Sequence, residues 1–277
     1  MHVSRWFPVL AILVALVTPA LPKSDFRPAD VFGDHMVLQQ QMDVPVWGKA
    51  VPERRVAVTL GECRRECVTD ADGSWIVRLT PPAAGGPYQM TAGDGETTRT
   101  FQDVLVGEVW LVAGQSNVEH TVNASIRTPA EFAELNHPNI RLFSNWPVPA
   151  ENPQTRCSGE WKVCTTETGR RFSAVGYFFG RKLEAELGVP VGLIQACRGG
   201  ASIEAYTPAC IQQINPMYSP GLARWNALAE NWPLDWGRYW ESLLAWQNEA
   251  ARAREAGKTP PPEPMRPGMA DASITQP

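Results

Sequence analysis

The stretch Glu108–Asn117 reads EVWLVAGQSN, and it decides the fold expected for this chain. Its first six residues are typical of a buried strand, and the four from Gly114 onward are typical of a turn that leads into a helix. Later in the chain, Phe172–Leu187 repeats apolar residues at helical spacing, and Val189–Ala196 is a nearly continuous apolar run. A strand, a helix and a second strand in this order predict right-handed crossovers and a parallel sheet, so the expected fold class is α/β.

Two loops of this α/β part carry the candidate chemistry. In open α/β sheets ligands bind at the carboxyl ends of the strands, and both Gly114–Asn117 and Arg198–Ser202 follow predicted strands. Ser116 is the candidate nucleophile, because a serine placed where a strand gives way to a helix can present its hydroxyl beside amides that stabilise an oxyanion. Gly199 and Gly200 allow the backbone to approach a substrate closely.

Both features also have a purely structural interpretation. Ser116 and Glu119 match the capping box of a helix start, and two adjacent glycines fit a tight turn. On the local sequence alone, capping is the better supported role of Ser116. A functional role shared by Ser116 and the glycine pair is favoured by their position, because both are predicted to lie at the same edge of the sheet.

Residues 27–103 are predicted to form a separate all-β unit, and residues 104–257 to form the α/β unit. Short β-prone runs alternate with turn signals through the first unit, and this spacing favours a small β-sandwich. The predicted strands are Val44–Trp47, Val56–Leu60, Ser74–Leu79 and Tyr88–Ala92. Because the unit pairs no nucleophile with a base, we expect structural packing rather than glycan binding to be its role.

The C-terminal part combines an aromatic helix with a proline-rich tail. Residues 221–257 place Trp236, Tyr239 and Trp240 at helical spacing, with Pro233 suited to the first turn, and such a stripe is expected to be core. Residues 258–277 contain six prolines and no periodicity, so a linker or loop is expected there.

The composition and the N-terminus indicate the partners and the compartment. The 277 residues carry 25 Lys and Arg against 29 Asp and Glu, a formal net charge of −4, so no basic field exists for nucleic acid. Residues 1–20 are typical of an export signal, in which Arg5 precedes the apolar run Trp6–Val17 and Ala20 offers a cleavage site. We therefore expect a secreted or periplasmic protein that has no membrane association after cleavage.

Six cysteines are compatible with disulfides in an exported protein. Cys63 and Cys67 flank three residues between strand-like runs, so a bridge across a hairpin is expected. Cys157 and Cys164 are close enough in sequence to close a second loop. Neither pair has a second ligand pair at a suitable spacing, so no metal is expected.

Three separated blocks of the chain carry a family resemblance. Residues 107–119 read GEVWLVAGQSNVE, Phe172–Ile194 is followed by Gly199–Tyr206 (GGASIEAY), and Asp30–Gln39 reads DVFGDHMVLQ. Together they cover roughly residues 29–210 in the right order. They resemble the sialate O-acetylesterases, a branch of the SGNH hydrolases.

The resemblance implies a three-layer α/β/α hydrolase fold with a parallel sheet, preceded by the small β-sandwich. It implies hydrolysis of acetyl esters on sugars, particularly 9-O-acetylated sialic acid, without a metal or other cofactor, so an O-acetylated carbohydrate is the expected partner. Carried over by position, Ser116 would be the nucleophile, and the amides of Ser116 and of Gly199 or Gly200 would bind the oxyanion. Candidate residues of the substrate pocket are Gln115, Asn117 and Glu204.

The chain departs from the family pattern in two ways. Three residues stand where the family commonly has Met, Thr and Trp, and they are Val118, Ala201 and Tyr206. The family's Trp-Tyr-Gln-Gly-Glu-x-Asn and Asp-x-x-His blocks do not occur in the sequence, so we expect a fragment with little or no esterase activity of its own. After Ser116 the remaining histidines are His120 and His137, and neither is expected to serve as the base.

Two other functions are compatible with the sequence. One is a non-catalytic glycan-binding or structural protein, in which a β-sandwich is joined to an incomplete hydrolase. The other is an esterase that acts on other acetylated sugars, such as acetylxylan. Activity on acetylated sialic acid compared with acetylated xylan would separate the two esterase functions.

Overall fold

The computed structural model describes residues 25–126, 128–145 and 154–265. The predicted export signal, residues 1–20, lies outside these ranges, as do residues 266–277 of the predicted tail. The described strands are, in chain order, β1 (Arg27–Pro28), β2 (Val37–Gln39), β3 (Val44–Lys49), β4 (Arg55–Leu60), β5 (Cys63–Val68), β6 (Ser74–Leu79), β7 (Gly85–Gly93), β8 (Thr98–Gly114), β9 (His137–Asn145), β10 (Gly159–Cys164) and β11 (Val191–Cys197).

These strands form two sheets. β1, β3 and β6 make a small antiparallel sheet, and the other strands make one large sheet in the order β10-β9-β11-β8-β7-β4-β5, with β2 also paired to β8. The large sheet is mixed, which corrects the expectation of a parallel sheet. β11 is parallel to β8 and to β9, whereas β10 is antiparallel to β9 and β7 is antiparallel to β8. The turn of four residues between β7 and β8 is too short for a parallel connection.

The 17-residue strand β8 runs from one predicted unit into the other. Its first part pairs with β7 and with β2, where Leu105 lies opposite Val37, and its second part pairs with β11, where Glu108 lies opposite Val191. The predicted boundary between residues 103 and 104 therefore falls inside one continuous strand.

The N-terminal core also includes side chains from β9 and β10. Phe143 and Trp161 are buried among the apolar residues of the first strands, with their ring centroids 5.4 Å apart. The indole nitrogen of Trp161 donates a hydrogen bond to the carbonyl oxygen of Val31, at 2.7 Å. Packing and hydrogen bonding thus join the two predicted units.

A cluster of charged side chains lies at the same junction. The guanidinium of Arg141, which is only 5% exposed, binds the Asp103 carboxylate through two contacts of 2.6 and 3.2 Å. The Nδ1 atom of His35 lies 2.7 Å from the same carboxylate. The hydrogen bond from Arg141, with a smaller contribution from His35, lowers the pKa of Asp103 from its ordinary value of 3.8.

The described helices are α1 (Ser116–Glu119), α2 (Val122–Ser125), α3 (Pro129–Ala133), α4 (Thr166–Gly169), α5 (Ala174–Leu187), α6 (Ala209–Ile214) and α7 (Ser219–Glu255), with single 3₁₀ turns at Ile203–Tyr206 and Pro216–Tyr218. The amphipathic helix predicted at Phe172–Leu187 is confirmed as α5. It begins after Ser173, whose hydroxyl accepts a hydrogen bond from the amide of Gly176, and ends at Gly188 with a left-handed φ of 65°.

α5 covers one face of the large sheet. Val112, Leu193 and Tyr177 are buried between this helix and the strands. Because neighbouring residues of a strand point to opposite faces, Leu111 projects to the other face, and there it is 65% exposed. The structure thus shows a mixed sheet with helices and a separate small antiparallel sheet.

The cysteine pairs are not bridged, which corrects the expected disulfide between Cys63 and Cys67. Both residues lie on β5, where four steps along the extended chain place their Cα atoms about 13 Å apart, well beyond disulfide reach. Cys157 precedes β10 and is exposed, whereas Cys164 is buried at the far end of that strand. Strand geometry therefore keeps this second pair apart as well.

Two further expectations about single elements are wrong. Gly85–Pro87 reads Gly-Gly-Pro, one of the turn signals between the predicted strands, but it begins β7 instead of forming a turn. The irregular register between Gly85 and Tyr88 accommodates the proline, which has no N–H for the ladder. The aromatic helix does not start near Pro233, because α7 begins at Ser219 and continues unbroken past that position.

The aromatic stripe of α7 is only partly covered, which corrects the expectation that it is core. Trp236, Tyr239 and Trp240 contact one another, but Trp240 is 58% exposed, whereas Tyr239 is buried. The helix packs mainly on α6 and on the turn Pro216–Tyr218, and neither offers the broad surface of a sheet. None of the described helices combines the length and the apolarity that a membrane-spanning segment requires.

Candidate active site

The carboxyl ends of β8 and β11 bring the two predicted loops together. The strands are parallel neighbours in which Ala113 lies opposite Ala196 and Gly114 opposite Cys197. The amide of Arg198 continues this pairing with a hydrogen bond of 3.1 Å to the carbonyl oxygen of Gly114. Each chain segment then leaves the sheet edge, so Ser116 and the glycine pair face each other.

Ser116 is the first residue of α1, and the capping residue is Gln115. The side-chain oxygen of Gln115 accepts two hydrogen bonds from Ser116, at 3.0 Å from the amide and at 2.9 Å from the hydroxyl. The capping box suggested by the sequence is therefore not formed. Its fourth residue, Glu119, instead accepts a hydrogen bond of 2.6 Å from the amide of Gly199.

The amide of Gly200 points at the candidate nucleophile and lies 3.3 Å from the Ser116 hydroxyl oxygen. A side chain is disfavoured at both Gly199 and Gly200. Gly200 has a φ of 79°, which side chains disfavour, and a Cβ on Gly199 would lie 2.6 Å from the Glu119 carboxylate and 3.4 Å from the Ser116 hydroxyl. All three amides predicted as oxyanion donors are thus engaged within the protein: Ser116 with Gln115, Gly199 with Glu119, and Gly200 with the Ser116 hydroxyl.

Tyr206 ties the same loop to the end of β8. Its hydroxyl donates a short hydrogen bond to the carbonyl oxygen of Gly114 and accepts one of 3.1 Å from the amide of Arg198. Sequence reasoning missed the roles of Glu119 and Tyr206 here. The local sequence indicates a capping box for Glu119, and at position 206 it shows only a Tyr in place of the family's usual Trp.

The three pocket candidates differ in their surroundings. Gln115 contacts Ser116 directly, whereas Asn117 is exposed on α1. Glu204 lies in the turn Ile203–Tyr206, and a hydrogen bond from Ser202 lowers the pKa of its carboxyl group. Within the described ranges, no hydrogen bond connects Asn117 or Glu204 to the serine.

Three histidines lie in the described part of the chain, and none of them contacts the Ser116 hydroxyl there. His120 follows α1, with an exposed side chain and a carbonyl oxygen that accepts a hydrogen bond from Ala174. His137 begins β9 and therefore lies at the amino edge of the sheet, where its Nδ1 atom is 2.9 Å from the Glu184 carboxylate. His35 belongs to the cluster around Asp103.

A competing thiol nucleophile can be set aside. Cys197 ends β11 close to the serine, but it is buried, and burial raises the pKa of its thiol, with a smaller contribution from the charge of Glu119. Because the thiolate is the reactive form, this cysteine is held in its unreactive state. Across residues 25–126, 128–145 and 154–265, no group of three His, Cys, Asp or Glu residues is arranged to hold a metal ion.

A serine at a strand-to-helix turn, on an α/β sheet edge and facing a backbone amide, is an arrangement typical of α/β hydrolases that cleave esters. Residues 106–257 match the family described as "Carbohydrate esterase, sialic acid-specific acetylesterase". This match covers more than half of the chain, so the chain belongs to the sialic acid-specific acetylesterase family.

Individual relatives agree with this assignment. The chain is 30% identical over 222 residues to the sialate O-acetylesterase of Homo sapiens, a match that covers 71% of this chain and 42% of the human protein. It is 33% identical over 202 residues to the sialate O-acetylesterase of Rattus norvegicus, a match that covers 66% of this chain and 37% of the rat protein. A crystal structure of a carbohydrate acetylesterase from Xanthomonas citri has a TM-score of 0.64 and 37% identity, over 68% of this chain and 44% of that one. The chain thus spans about two fifths of the length of its curated relatives.

Proposed function

We propose that this chain carries the nucleophile and the oxyanion site of a carbohydrate O-acetylesterase. The observation that supports the proposal best is the pair formed by the Ser116 hydroxyl and the Gly200 amide, 3.3 Å apart across two adjacent parallel strands. The names of the relatives suggest the substrate class, which is a sugar that carries an acetyl ester, with acetylated sialic acid as the first candidate.

In the proposed reaction the Ser116 oxygen attacks the carbonyl carbon of the acetyl group while its proton passes to a base. The carbonyl oxygen becomes an oxyanion that accepts hydrogen bonds from the amides of Ser116 and Gly200. Collapse of this intermediate breaks the bond to the sugar oxygen, which takes up a proton and leaves as a hydroxyl. Water then hydrolyses acetyl-Ser116 to acetate and free enzyme.

Of the two expected glycine donors, we assign this role to Gly200, because the Gly199 amide is bonded to Glu119. Gln115 must also move during the reaction. In the resting arrangement its side-chain oxygen accepts hydrogen bonds from both the amide and the hydroxyl of Ser116. A substrate carbonyl oxygen would replace the Gln115 oxygen at that amide. Asn117 and Glu204 flank the same edge, and we assign them to the rim of the substrate site.

The test supplies the base from solution, since no described imidazole contacts Ser116. The purified chain and its Ser116→Ala variant are compared for acetate release from 9-O-acetylated sialic acid over a range of imidazole concentrations. We expect little turnover without imidazole and a rise with imidazole that the variant lacks. Subtracting the rate of Ser116→Ala removes direct hydrolysis by imidazole, and Ser125→Ala, an exposed serine on the neighbouring helix α2, controls for serine loss in general.

Equal rates for the chain and Ser116→Ala at every imidazole concentration would contradict the proposal and favour the non-catalytic glycan-binding function. Acetylxylan is assayed in parallel, because the relative from Xanthomonas citri is a carbohydrate acetylesterase, a class that is not limited to sialic acid. Faster Ser116-dependent release from acetylxylan would move the substrate assignment to that polymer.

We also propose that the protein is exported, with cleavage after Ala20. The support comes from the sequence, in which Arg5 precedes the apolar run Trp6–Val17. The unbridged cysteines add no support. Intact-mass measurement of protein recovered outside the cytoplasm is expected to show an N-terminus at Leu21, and a retained Met1 would contradict export by this signal.

A further inference from the structure

The loop Arg198–Gly200 is held against the end of β8 by two side chains that the proposed reaction does not use. On one side the Glu119 carboxylate accepts the 2.6 Å hydrogen bond from the Gly199 amide. On the other side the Tyr206 hydroxyl bridges the Gly114 carbonyl oxygen and the Arg198 amide. The two side chains therefore bind consecutive peptide groups of the loop, immediately before the amide that faces Ser116.

We propose that Glu119 and Tyr206 are positioning residues, which fix the orientation of the Gly200 amide toward the Ser116 oxygen. The proposal rests on the proposed function, because it assigns a purpose to the donor of that reaction. Without these contacts the backbone of the loop would still be bonded to β8 through the Arg198 amide and the Gly114 carbonyl oxygen, but not at Gly199. Gly199 and Gly200 give the loop wide conformational freedom, so its geometry has to be imposed from outside.

The geometry also argues against two rival roles of Glu119. As a capping residue it would return to the backbone at the start of α1, but its carboxylate binds the opposite loop, 80 residues away in sequence. As an oxyanion stabiliser it would carry the wrong sign, because a carboxylate repels the charge that develops beside it. Its hydrogen-bonding ability, rather than its charge, is therefore what the site uses. The glutamine isostere keeps the acceptor oxygen and removes the charge, and so separates the two properties.

The first arm of the test is kinetic and uses the Ser116-dependent, imidazole-supported turnover of the full chain. Glu119→Ala and Tyr206→Phe are expected to lower kcat by up to about 100-fold with little change in KM, since a misplacement of about 1 Å can cost that much. Glu119→Gln is expected to recover most of the loss. The matched controls are Glu167→Ala, an exposed glutamate on α4, and Tyr88→Phe, whose hydroxyl donates to the Ala83 carbonyl oxygen away from the site.

The second arm observes the loop without any turnover. Arg198-Gly199 is the sole Arg-Gly pair in the sequence, so carbonyl-labelled arginine combined with ¹⁵N-glycine gives one amide resonance, that of Gly199. Glycine labelled at both its carbonyl carbon and its nitrogen selects the amides of Gly86 and Gly200, because each of these residues follows another glycine. We expect Glu119→Ala to shift the Gly199 proton upfield and to shift Gly200, with Gly86 in β7 unmoved.

The outcomes separate the two proposals. An unchanged Gly199 resonance in Glu119→Ala, or shifted resonances with an unchanged kcat, would overturn the positioning role. A Glu119→Gln variant as impaired as Glu119→Ala would assign the effect to charge and also overturn it. If the unmodified chain shows no Ser116-dependent turnover, the proposed function fails, and the positioning of Gly200 is then decided by its resonance in the Glu119→Ala and Tyr206→Phe variants.

Discussion

The hydroxyl of Ser116 lies between an acceptor and a donor: it donates a hydrogen bond to the side-chain oxygen of Gln115, and its oxygen faces the Gly200 amide. The sequence predicted which residues meet at this edge, because strand ends and glycine pairs are local signals. It could not predict how they bond. The contact between Glu119 and Gly199 depends on the register of β8 and β11, which only the folded sheet defines.

Ser116→Ala should leave the stability of the protein nearly unchanged, because Gln115 rather than Ser116 caps α1. We expect a change in the free energy of unfolding within about 0.5 kcal/mol, as is usual for an exposed position. The comparison is Ser173→Ala, which removes the buried cap of α5 and should cost about 1 kcal/mol. Urea denaturation of both variants provides the measurement, and equal losses would show that Ser116 is a structural cap after all.

Asp103 should contribute to acid sensitivity at the junction of the two predicted units. Its pKa is lowered in the folded protein, chiefly by Arg141, so its stabilising contribution is present above its unfolded pKa of about 3.8 and is lost as the pH falls through the folded value. We expect Asp103→Asn to be less stable than the unmodified chain at pH 7. The difference between the two should shrink as the pH falls below about 4.

Thermal unfolding at a series of pH values tests this expectation. Asp43→Asn is the control, because Asp43 is exposed and its partner is the uncharged hydroxyl of Thr80. A stability difference for Asp103→Asn that stays constant from pH 7 down to pH 2 would show that ionisation of Asp103 does not contribute.

Among the secondary-structure elements, those with a clear local pattern were the ones the sequence predicted well. β6 and α5 follow alternating and helical spacings of apolar residues, and both formed at or near the expected residues. Elements that depend on neighbours were missed. The full length of β8 follows from pairing with strands on both sides, and the continuation of α7 past position 233 overrides the local preference of proline for a helix start.

The glycine that ends α5 tests the role of backbone conformation in stability, and a second glycine, inside α7, serves as a control for which the opposite change is expected. Gly188 has a φ of 65° and free space around it, so Gly188→Ala should cost about 1 kcal/mol through the backbone alone. Gly237, inside α7, also has free space but an ordinary helical φ. Gly237→Ala should therefore stabilise its helix, by up to about 1 kcal/mol. Urea denaturation followed by far-ultraviolet circular dichroism measures both changes, and a loss in both variants would refute the backbone argument.

At the scale of the whole molecule, β8 and the shared core predict that the two sheet regions unfold together. Trp161 is buried in the N-terminal core although it belongs to β10, so Trp161→Ala should cost about 3–5 kcal/mol. Hydrogen exchange should then show lost protection in β4 and in β9 alike. The control is Trp47→Ala, because Trp47 is 42% exposed and contacts Phe32 at the surface. A loss confined to either β4 or β9 would mean that the two regions are independent.

The aromatic helix α7 also affects how the tryptophan fluorescence of this protein is interpreted. Five of the 11 tryptophans lie in this one helix, and they are Trp225, Trp232, Trp236, Trp240 and Trp246. Indole fluorescence responds to the polarity around each ring, and several of these rings lie within energy-transfer distance of one another. Part of the emission therefore reports the surroundings of α7, and its wavelength will shift when the solvent changes or a molecule covers the helix, even if the edge at Ser116 is unaltered.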